Sequence, residues 1–133
     1  MSAEAAVWYL DTSALAKLVQ TEPESAALRS WLSGRRWIIS DLHRTELRRA
    51  VARARGTASA RADRLLAEAD LLKIDAEIFD RAGALEPPSL RSLDALHLAA
   101  AMALGPDLAG IVAYDDRLIA AAVELDLPVA SPS

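Results

Sequence analysis

Four acidic residues, far apart in the chain, have the types and positions that could build a catalytic site. Asp11 directly follows the apolar run VWYL, and Asp115 follows the apolar run GIVAY. Asp94 lies near the start of the apolar stretch SLDALHLAAAMAL, and Glu46 borders an apolar stripe. Carboxylates gathered in a partly dry cleft repel one another, so at neutral pH they require protons or a bound cation. An all-oxygen set without cysteine suits Mg²⁺ or Mn²⁺, ions that polarise phosphoryl groups and activate water.

Each of these acids also has an ordinary structural role. Asp11 and Asp115 stand where a helix N-cap is expected, and N-caps are often Asp. Asp94 in a first helical turn favours the helix macrodipole, and Glu46 could be a surface acid paired with an arginine one turn away. However, parallel strands end at one edge of a sheet, so Asp11 and Asp115 are expected to emerge together. That expectation favours a shared site over four separate caps.

The elements that must position the acids alternate between strand and helix. Strands are predicted at 7–10, 37–40, 71–74, 110–114 and 127–130. Helices are predicted at 13–19, from 23 to Gly34, at 41–55, from 57 or 59 onward, and at 76–85, 92–104 and 116–125. This alternation indicates an α/β fold with a mostly parallel sheet and helices on both faces. The length of 133 residues fits a single domain spanning 1–133.

Positive charge is concentrated in one part of a mildly acidic chain. The segment 35–64 contains nine arginines, no lysine and three acidic residues, whereas the net charge of the whole chain is -4. Five of the arginines belong to the predicted 41–55 helix: Arg44, Arg48, Arg49, Arg53 and Arg55. The forked guanidinium suits phosphate, so we interpret this face as a candidate phosphate-binding surface. A solvated helix that binds nothing is the alternative.

Composition narrows the possible environment and metal chemistry. The chain has no cysteine, which excludes disulfides and thiolate metal sites and fits a reducing cytoplasm. No apolar run reaches the roughly 18 residues needed to cross a bilayer, and no basic region precedes the first apolar run, so we expect a soluble, unprocessed, cytoplasmic protein. The two histidines, His43 and His97, do not form a zinc-binding pair. His97 lies one turn after Asp94 and is interpreted as a hydrogen-bonded neighbour that supports the site, with a catalytic role as the alternative.

Over nearly its whole length, the sequence resembles the PIN-domain ribonucleases, specifically the small VapC-like toxins of type II toxin-antitoxin pairs. The resemblance is carried by LDTSALAKL near the start, TELRRA around Glu46, LDALHLAAA around Asp94 and AYDDRLIAAA near the end. It implies a three-layer α/β/α PIN-like fold with a central, mostly parallel sheet of about four to five short strands.

The resemblance also implies a set of site residues. Asp11, Glu46, Asp94 and Asp115 match the acidic quartet that is catalytic and binds metal in the family. Thr12 or Ser13 matches the small hydroxyl residue beside the first acid. His97 and Asp116 would lie next to the metal ligands and support them without binding the metal. The doublet Asp115-Asp116 leaves open which acid faces the metal, and the spacing Asp115-x-x-Leu118 favours Asp115. The family often has Thr or Ser where this chain has Ala113, so that hydroxyl is absent or replaced.

The activity implied is Mg²⁺-dependent endonucleolytic cleavage of RNA, with Mn²⁺ able to substitute. Asp11, Asp94 and Asp115 would hold the ion, and Glu46 would orient the attacking water or complete a second ion site. In-line attack would leave a 5′-phosphate on one product. A small antitoxin and a homodimer are the implied partners, and the arginines of 44–55 are interpreted as RNA-binding. The rival from another class is a catalytically inactive PIN-like binding module whose acids only cap helices.

Overall fold

A computed structural model describes residues 6–54 and 56–133. Its strands are β1 (Val7–Leu10), β2 (Trp37–Ser40), β3 (Leu71–Leu72), β4 (Leu108–Val112) and β5 (Val129–Ala130). Its helices are α1 (Thr12–Val19), α2 (Ser25–Leu32), α3 (Leu42–Val51), α4 (Ala58–Glu68), α5 (Ala76–Ala84), α6 (Ser92–Met102) and α7 (Asp116–Glu124), and a 3-10 turn spans Gly105–Asp107. Within these residues, no helix is long and apolar enough to span a bilayer.

The sheet is fully parallel and has the strand order β3-β2-β1-β4-β5. The central strand β1 pairs with β2 at Trp8 and Trp37, and with β4 at Leu10 and Val112. The Asp11 amide extends this ladder by donating to the Val112 carbonyl oxygen at 3.1 Å. The last residues of β1 and β4 are therefore side by side, which confirms the predicted five-stranded parallel sheet and its shared edge.

Two apolar cores lie on opposite faces of the sheet. Because side chains alternate along a strand, Leu10 and Val112 enter the core formed with α1 to α4. Tyr9 and Ile111, each one position earlier, enter the core formed with α5 to α7. The molecule is thus a three-layer α/β/α structure, as predicted.

Helix α3 is shorter than the predicted 41–55 helix. It ends at Val51, and the Ala54 amide then donates to the Val51 carbonyl in a tight turn that breaks the helical ladder. Its buried line is His43, Leu47 and Val51, at a spacing of four residues. The sequence spacing predicts an apolar stripe of Leu47, Ala50, Val51 and Ala54, but Ala50 and Ala54 are exposed, so that part of the prediction is wrong. Arg53 lies in the turn after the helix, and Arg55 lies outside the described residues.

Other element boundaries differ by a few residues. Helix α2 begins at Ser25 instead of Pro23, because the Ser25 hydroxyl accepts from the Glu22 amide in a turn that precedes the helix. Helix α6 ends at Met102 instead of Leu104, and the chain then enters the 3-10 turn. Strand β4 begins at Leu108 instead of Gly110 and stops at Val112, which leaves Ala113 and Tyr114 in the segment that leads to Asp115.

Candidate active site

Asp11 is buried at the junction between β1 and α1. Its side chain is the N-cap of α1 and accepts from the Ala14 amide at 2.8 Å. The Ser13 hydroxyl lies 2.7 and 2.8 Å from the two carboxylate oxygens. Only 3% of Asp11 is exposed, and this burial raises its pKa to about 6 despite the hydrogen bonds that lower it. Asp11 is therefore both a helix cap and a carboxyl group that is costly to ionise.

Asp94 and Asp115 complete an electrostatically coupled group with Asp11. Asp115 is the N-cap of α7 and accepts from the Arg117 amide at 2.9 Å, whereas Asp94 lies in the first turn of α6. Burial raises the pKa of Asp94, and the charge of Asp115 raises it further. The charge of Asp115 also contributes to the raised pKa of Asp11. Asp115 therefore lies close enough to both Asp11 and Asp94 for its charge to act on them.

The acid of the Asp115-Asp116 doublet that faces the metal stays a prediction. Asp115 and Asp116 are both exposed, and Asp116 begins α7. The charge of Asp115 contributes to the raised pKa of both Asp11 and Asp94, which is consistent with the choice of Asp115 from the Asp115-x-x-Leu118 spacing.

Glu46 is joined to the cleft through His97 and Thr12 rather than through an arginine. The Thr12 hydroxyl donates to Glu46 Oε1 at 3.0 Å, and His97 Nε2 donates to the same oxygen. Burial alone would raise the pKa of Glu46, but the hydrogen bond and charge of His97 reverse the effect and lower it. The alternative of a surface acid paired with a neighbouring arginine on α3 does not describe Glu46 in the structure.

A buried polar network lies beneath Glu46. The Tyr9 hydroxyl lies 2.7 Å from His97 Nδ1 and 2.9 Å from the Ser40 hydroxyl oxygen. His43 receives the Ser40 amide at Nδ1, so its Nε2 carries a proton and donates to the Leu10 carbonyl at 2.7 Å. His43 thereby fixes α3, which carries Glu46, to the end of β1.

His43 is a residue whose importance the sequence did not indicate. Its apparent position on a polar, arginine-rich helix concealed that it is fully buried, with its ring centroid 4.9 Å from that of His97. Burial lowers its pKa to about 4, so the ring is neutral at neutral pH. Its spacing of four residues before Leu47 was the available signal, since these two residues share one helix face.

The two hydroxyls beside Asp11 act on different neighbours. Thr12 bonds to Glu46, while Ser13 donates to Asp11 and accepts from the Tyr114 amide at 3.0 Å. Ser13 therefore connects the ends of β1 and β4, next to Ala113 where the family often has a hydroxyl residue. A hydroxyl from α1 thus bonds to the backbone one residue after Ala113.

The donor chemistry fits a divalent cation, although the carboxylates are not drawn tightly together. Within residues 6–54 and 56–133, no three His, Asp or Glu side chains lie close enough to hold one ion. Burial nevertheless raises the pKa of Asp11 and of Asp94, and repulsion from the charge of Asp115 adds to both shifts. A hard cation would relieve that repulsion and would be bound by oxygen ligands alone.

The predicted RNA-binding arginines are exposed on or just after the helix that carries Glu46. Arg44, Arg48, Arg49 and Arg53 are all exposed, on α3 or in the turn after it. Arg48 donates from Nε to Asp63 at 3.0 Å and from Nη1 to the Arg44 carbonyl, which ties it to α4 and to its own helix. The structure therefore separates Arg48 from the other three, and it leaves the RNA-binding role of all four as a prediction.

Two arginines that the sequence did not single out share a cavity with Asp94. Arg91 and Arg117 line a cavity of about 700 Å³ that also reaches Asp94. The signal available in the sequence was their position, because Arg91 precedes the Asp94 helix and Arg117 follows the Asp115-Asp116 doublet.

Comparisons with known proteins agree on the kind of domain. The model of the PIN domain family matches residues 8–124. Ribonuclease VapC46 of Mycobacterium tuberculosis (strain ATCC 25618 / H37Rv) is 46% identical over 126 residues, which cover 94% of this chain and 97% of the relative. Ribonucleases VapC35 and VapC47 of Mycobacterium tuberculosis (strain CDC 1551 / Oshkosh) are 45% and 42% identical, and each alignment covers 93% of this chain and 96% of the relative. No solved structure matches the chain significantly.

Proposed function

This chain belongs to the PIN-domain family, as a VapC-like member, and we propose that it is a Mg²⁺-dependent endoribonuclease that acts as the toxin of a toxin-antitoxin pair. The observation that carries the proposal is that the parallel strands β1 and β4 end side by side, which brings Asp11 and the segment leading to Asp115 to one edge of the sheet. The charge of Asp115 also acts on both Asp11 and Asp94. Relatives named as ribonucleases, which align over almost their whole length, support RNA cleavage as the activity.

In the proposed site, the four acids have different roles. Asp11, Asp94 and Asp115 would hold the cation, and Glu46 would orient the attacking water or complete a second ion site. A bound Mg²⁺ or Mn²⁺ would supply polarisation of the phosphoryl group and activation of water near neutral pH. Attack in line with the leaving oxygen would leave a 5′-phosphate on one product.

The chain's own hydrogen bonds support these roles. Ser13 and the Ala14 amide hold the Asp11 carboxylate in one orientation, and Thr12 and His97 hold Glu46 through Oε1. His97 is in turn held by Tyr9. Side chains fixed in this way need little reorganisation when substrate binds, which is the condition for efficient electrostatic catalysis.

The test is cleavage of total bacterial RNA in the presence of Mg²⁺ or Mn²⁺, with EDTA as the metal-free arm. Asp11→Asn and Asp94→Asn should each lower the cleavage rate by about a hundredfold or more, because each removes a ligand charge without changing side-chain size. Products of the wild-type reaction should accept a ligated adaptor that requires a 5′-phosphate.

The matched control is Asp80→Asn. This substitution removes one exposed acid from the middle of α5, outside the site, so the cleavage rate should match the wild type. Wild-type rates in both site variants, or cleavage that persists undiminished in EDTA, would refute the nuclease proposal.

An inactive binding module is the second candidate, and a specific observation favours it. Asp11 and Asp115 both cap their own helices, which is a complete structural role for each. The module predicts no change in melting temperature when millimolar Mn²⁺ is added. A nuclease site predicts a rise that Asp94→Asn abolishes.

The family relationship also supports particular partners. We propose that a small cognate antitoxin restrains the nuclease and that the chain forms a homodimer. Co-expression with the adjacent antitoxin gene product should yield a stable complex with suppressed RNase activity. A toxin that remains fully active in that complex would contradict the regulatory role.

A further inference from the structure

The cavity beside Asp94 has a composition that the four acids do not explain. It lies between the segment before α6 and one face of α7, and its volume of about 700 Å³ falls within the roughly 300–1,000 Å³ range of small-ligand sites. Arg91 and Arg117 line it together with Asp94, so the cavity opens onto the proposed catalytic cleft. The charge of Arg91 also opposes the rise in the pKa of Asp94, which agrees with their closeness.

Both arginines are available to bind a ligand. In the part of the chain that the structure describes, neither guanidinium forms an ion pair, in contrast to that of Arg48, which binds Asp63. Arg91 is the N-cap of α6 and makes no side-chain capping bond, and Arg117 lies in the first turn of α7. The two cations thus stand at two adjacent helix N-termini, where the helix dipoles also favour an anion.

The charges of the cavity are arranged in order along α7. Arg117 lies at the end nearest the acids, and Glu124 lines the cavity seven residues later, about 10 Å along the helix axis. Ala120, Ala121 and Leu125 line the cavity between or beside these charges, and Leu90 and Pro87 add further apolar surface. The cavity therefore has two cations beside Asp94 and an apolar floor next to them, and Glu86 and Glu124 also line it.

We propose that this cavity binds the nucleotide next to the scissile phosphate of the RNA, with Arg91 and Arg117 holding its phosphate and the apolar floor receiving its base. This inference rests on the proposed nuclease function and extends it by assigning a substrate subsite. The binding site for the cleaved strand then includes the surface across α6 and α7, and the arginines of α3 would contribute separate phosphate contacts.

A nucleotide matches this arrangement through both its phosphate and its base. A phosphate suits two guanidinium groups that form no ion pair among the described residues, next to a cleft where a phosphodiester must already be bound, and paired arginines contact it through forked hydrogen bonds. A base presents a flat apolar face to the aliphatic floor. A polypeptide is the alternative occupant.

The experiment measures equilibrium binding of a 5′-fluorescein 12-nucleotide RNA by anisotropy in EDTA, where cleavage is blocked, over a range of salt concentrations. Arg91→Gln and Arg117→Gln should each weaken RNA binding about five- to tenfold. Each should also make the fall of log K with log salt shallower, with a change in slope of about 0.7. Ala120→Leu should weaken binding about threefold or more with an unchanged salt slope, because it fills the floor without removing charge.

Arg81→Gln is the matched control for the two arginine variants. Arg81 is exposed on α5 and lines a different cavity with Met102, at the opposite end of α6 from Asp94. The control removes the same charge and should leave RNA affinity within twofold of the wild type.

The outcomes distinguish the subsite from the activity on which it rests. A wild-type protein that cleaves RNA, combined with arginine variants that bind RNA as tightly as Arg81→Gln, would overturn the subsite alone and leave the cavity to a polypeptide. RNA binding by Ala120→Leu that equals that of the wild type would show that the base does not bind at the apolar floor of the cavity. A wild-type protein that neither cleaves nor binds RNA would overturn the proposed function itself.

Discussion

Asp11 illustrates how one carboxylate can meet two demands. It caps α1 through the Ala14 amide, and it lies in the electrostatic field of Asp115. Capping and site membership looked like alternatives in the sequence, yet the structure has both. The geometry that caps the helix also holds the carboxylate at the edge of the sheet. What distinguishes Asp11 from an ordinary cap is that burial opposes its ionisation.

Replacing Asp11 should therefore stabilise the metal-free protein at neutral pH. Folding raises the pKa of Asp11 from 3.8 to about 6, so between these values the folded chain binds more protons than the unfolded chain. The contribution of this group to stability is complete below about pH 4 and is lost as pH rises through 6. The substitution Asp11→Asn keeps a residue that can cap the helix, and its stability does not fall with pH because Asn does not ionise.

The measurement is urea unfolding of both proteins in EDTA at pH values from 4 to 7. The free energy of unfolding of Asp11→Asn relative to the wild type should increase over this range by about 2 to 3 kcal/mol, from about 1.4 kcal/mol per pKa unit. The exposed substitution Asp80→Asn should give a flat difference. A difference for Asp11→Asn that is equally flat would show that burial does not oppose ionisation of Asp11.

At the residue scale, the sequence predicts the acids better than their partners. The four acids follow strands or border helices, so their positions could be read from local pattern. The bond from His97 to Glu46 and the bond from His43 to the Leu10 carbonyl join residues 51 and 33 positions apart. Such bonds depend on how helices pack across the sheet, which local periodicity does not encode.

At the scale of elements, the positions of α3 and β4 are fixed by specific contacts with neighbouring strands. Helix α3 is fixed through His43, so Glu46 one turn later lies above the end of β1. Strand β4 packs so closely against its neighbours that an ideal Cβ on Gly110 would lie 2.6 Å from Trp8 Cζ3 and 2.7 Å from the Pro128 carbonyl oxygen. Sequence periodicity predicted both elements but not these contacts, which involve neighbouring strands.

Gly110→Ala should destabilise the protein by about 1 to 3 kcal/mol or more, because the added methyl group must displace Trp8 or the backbone at Pro128. Gly83→Ala is the matched control. It makes the same substitution in α5, where no atom lies within 4 Å of the new Cβ, and it should stabilise the protein by up to about 1 kcal/mol through helix propensity. Thermal unfolding of both variants tests this difference. Equal shifts in their melting temperatures would contradict the close packing at Gly110.

The arginines of α3 should contribute unequally to RNA binding. Arg44 and Arg49 are exposed, and among the described residues neither forms an ion pair, whereas Arg48 is held by Asp63. Arg44→Gln and Arg49→Gln should therefore each weaken RNA affinity about threefold and reduce its salt dependence, with a smaller effect for Arg48→Gln. Anisotropy titrations would contradict this ranking if Arg48→Gln had the largest effect.

At the scale of the whole molecule, the parallel sheet is what brings distant acids together. Strand β1 lies at the centre of the order β3-β2-β1-β4-β5, so Asp11 and the segment leading to Asp115 emerge side by side. The alternation of strands and helices was sufficient to predict this architecture. It was not sufficient to predict the cavity beside Asp94, because that space arises where α6 and α7 meet and no single segment defines it.

The central claim is that these acids form one site for a divalent cation, and a melting experiment with Mn²⁺ tests it most directly. The wild-type protein, first measured in EDTA and then in 5 mM Mn²⁺, should gain several degrees in melting temperature, since a ligand bound only by the folded state stabilises it. Asp94→Asn should lose most of this gain, and Asp80→Asn should keep it. Equal shifts in all three proteins, or no shift in the wild type, would contradict the claim.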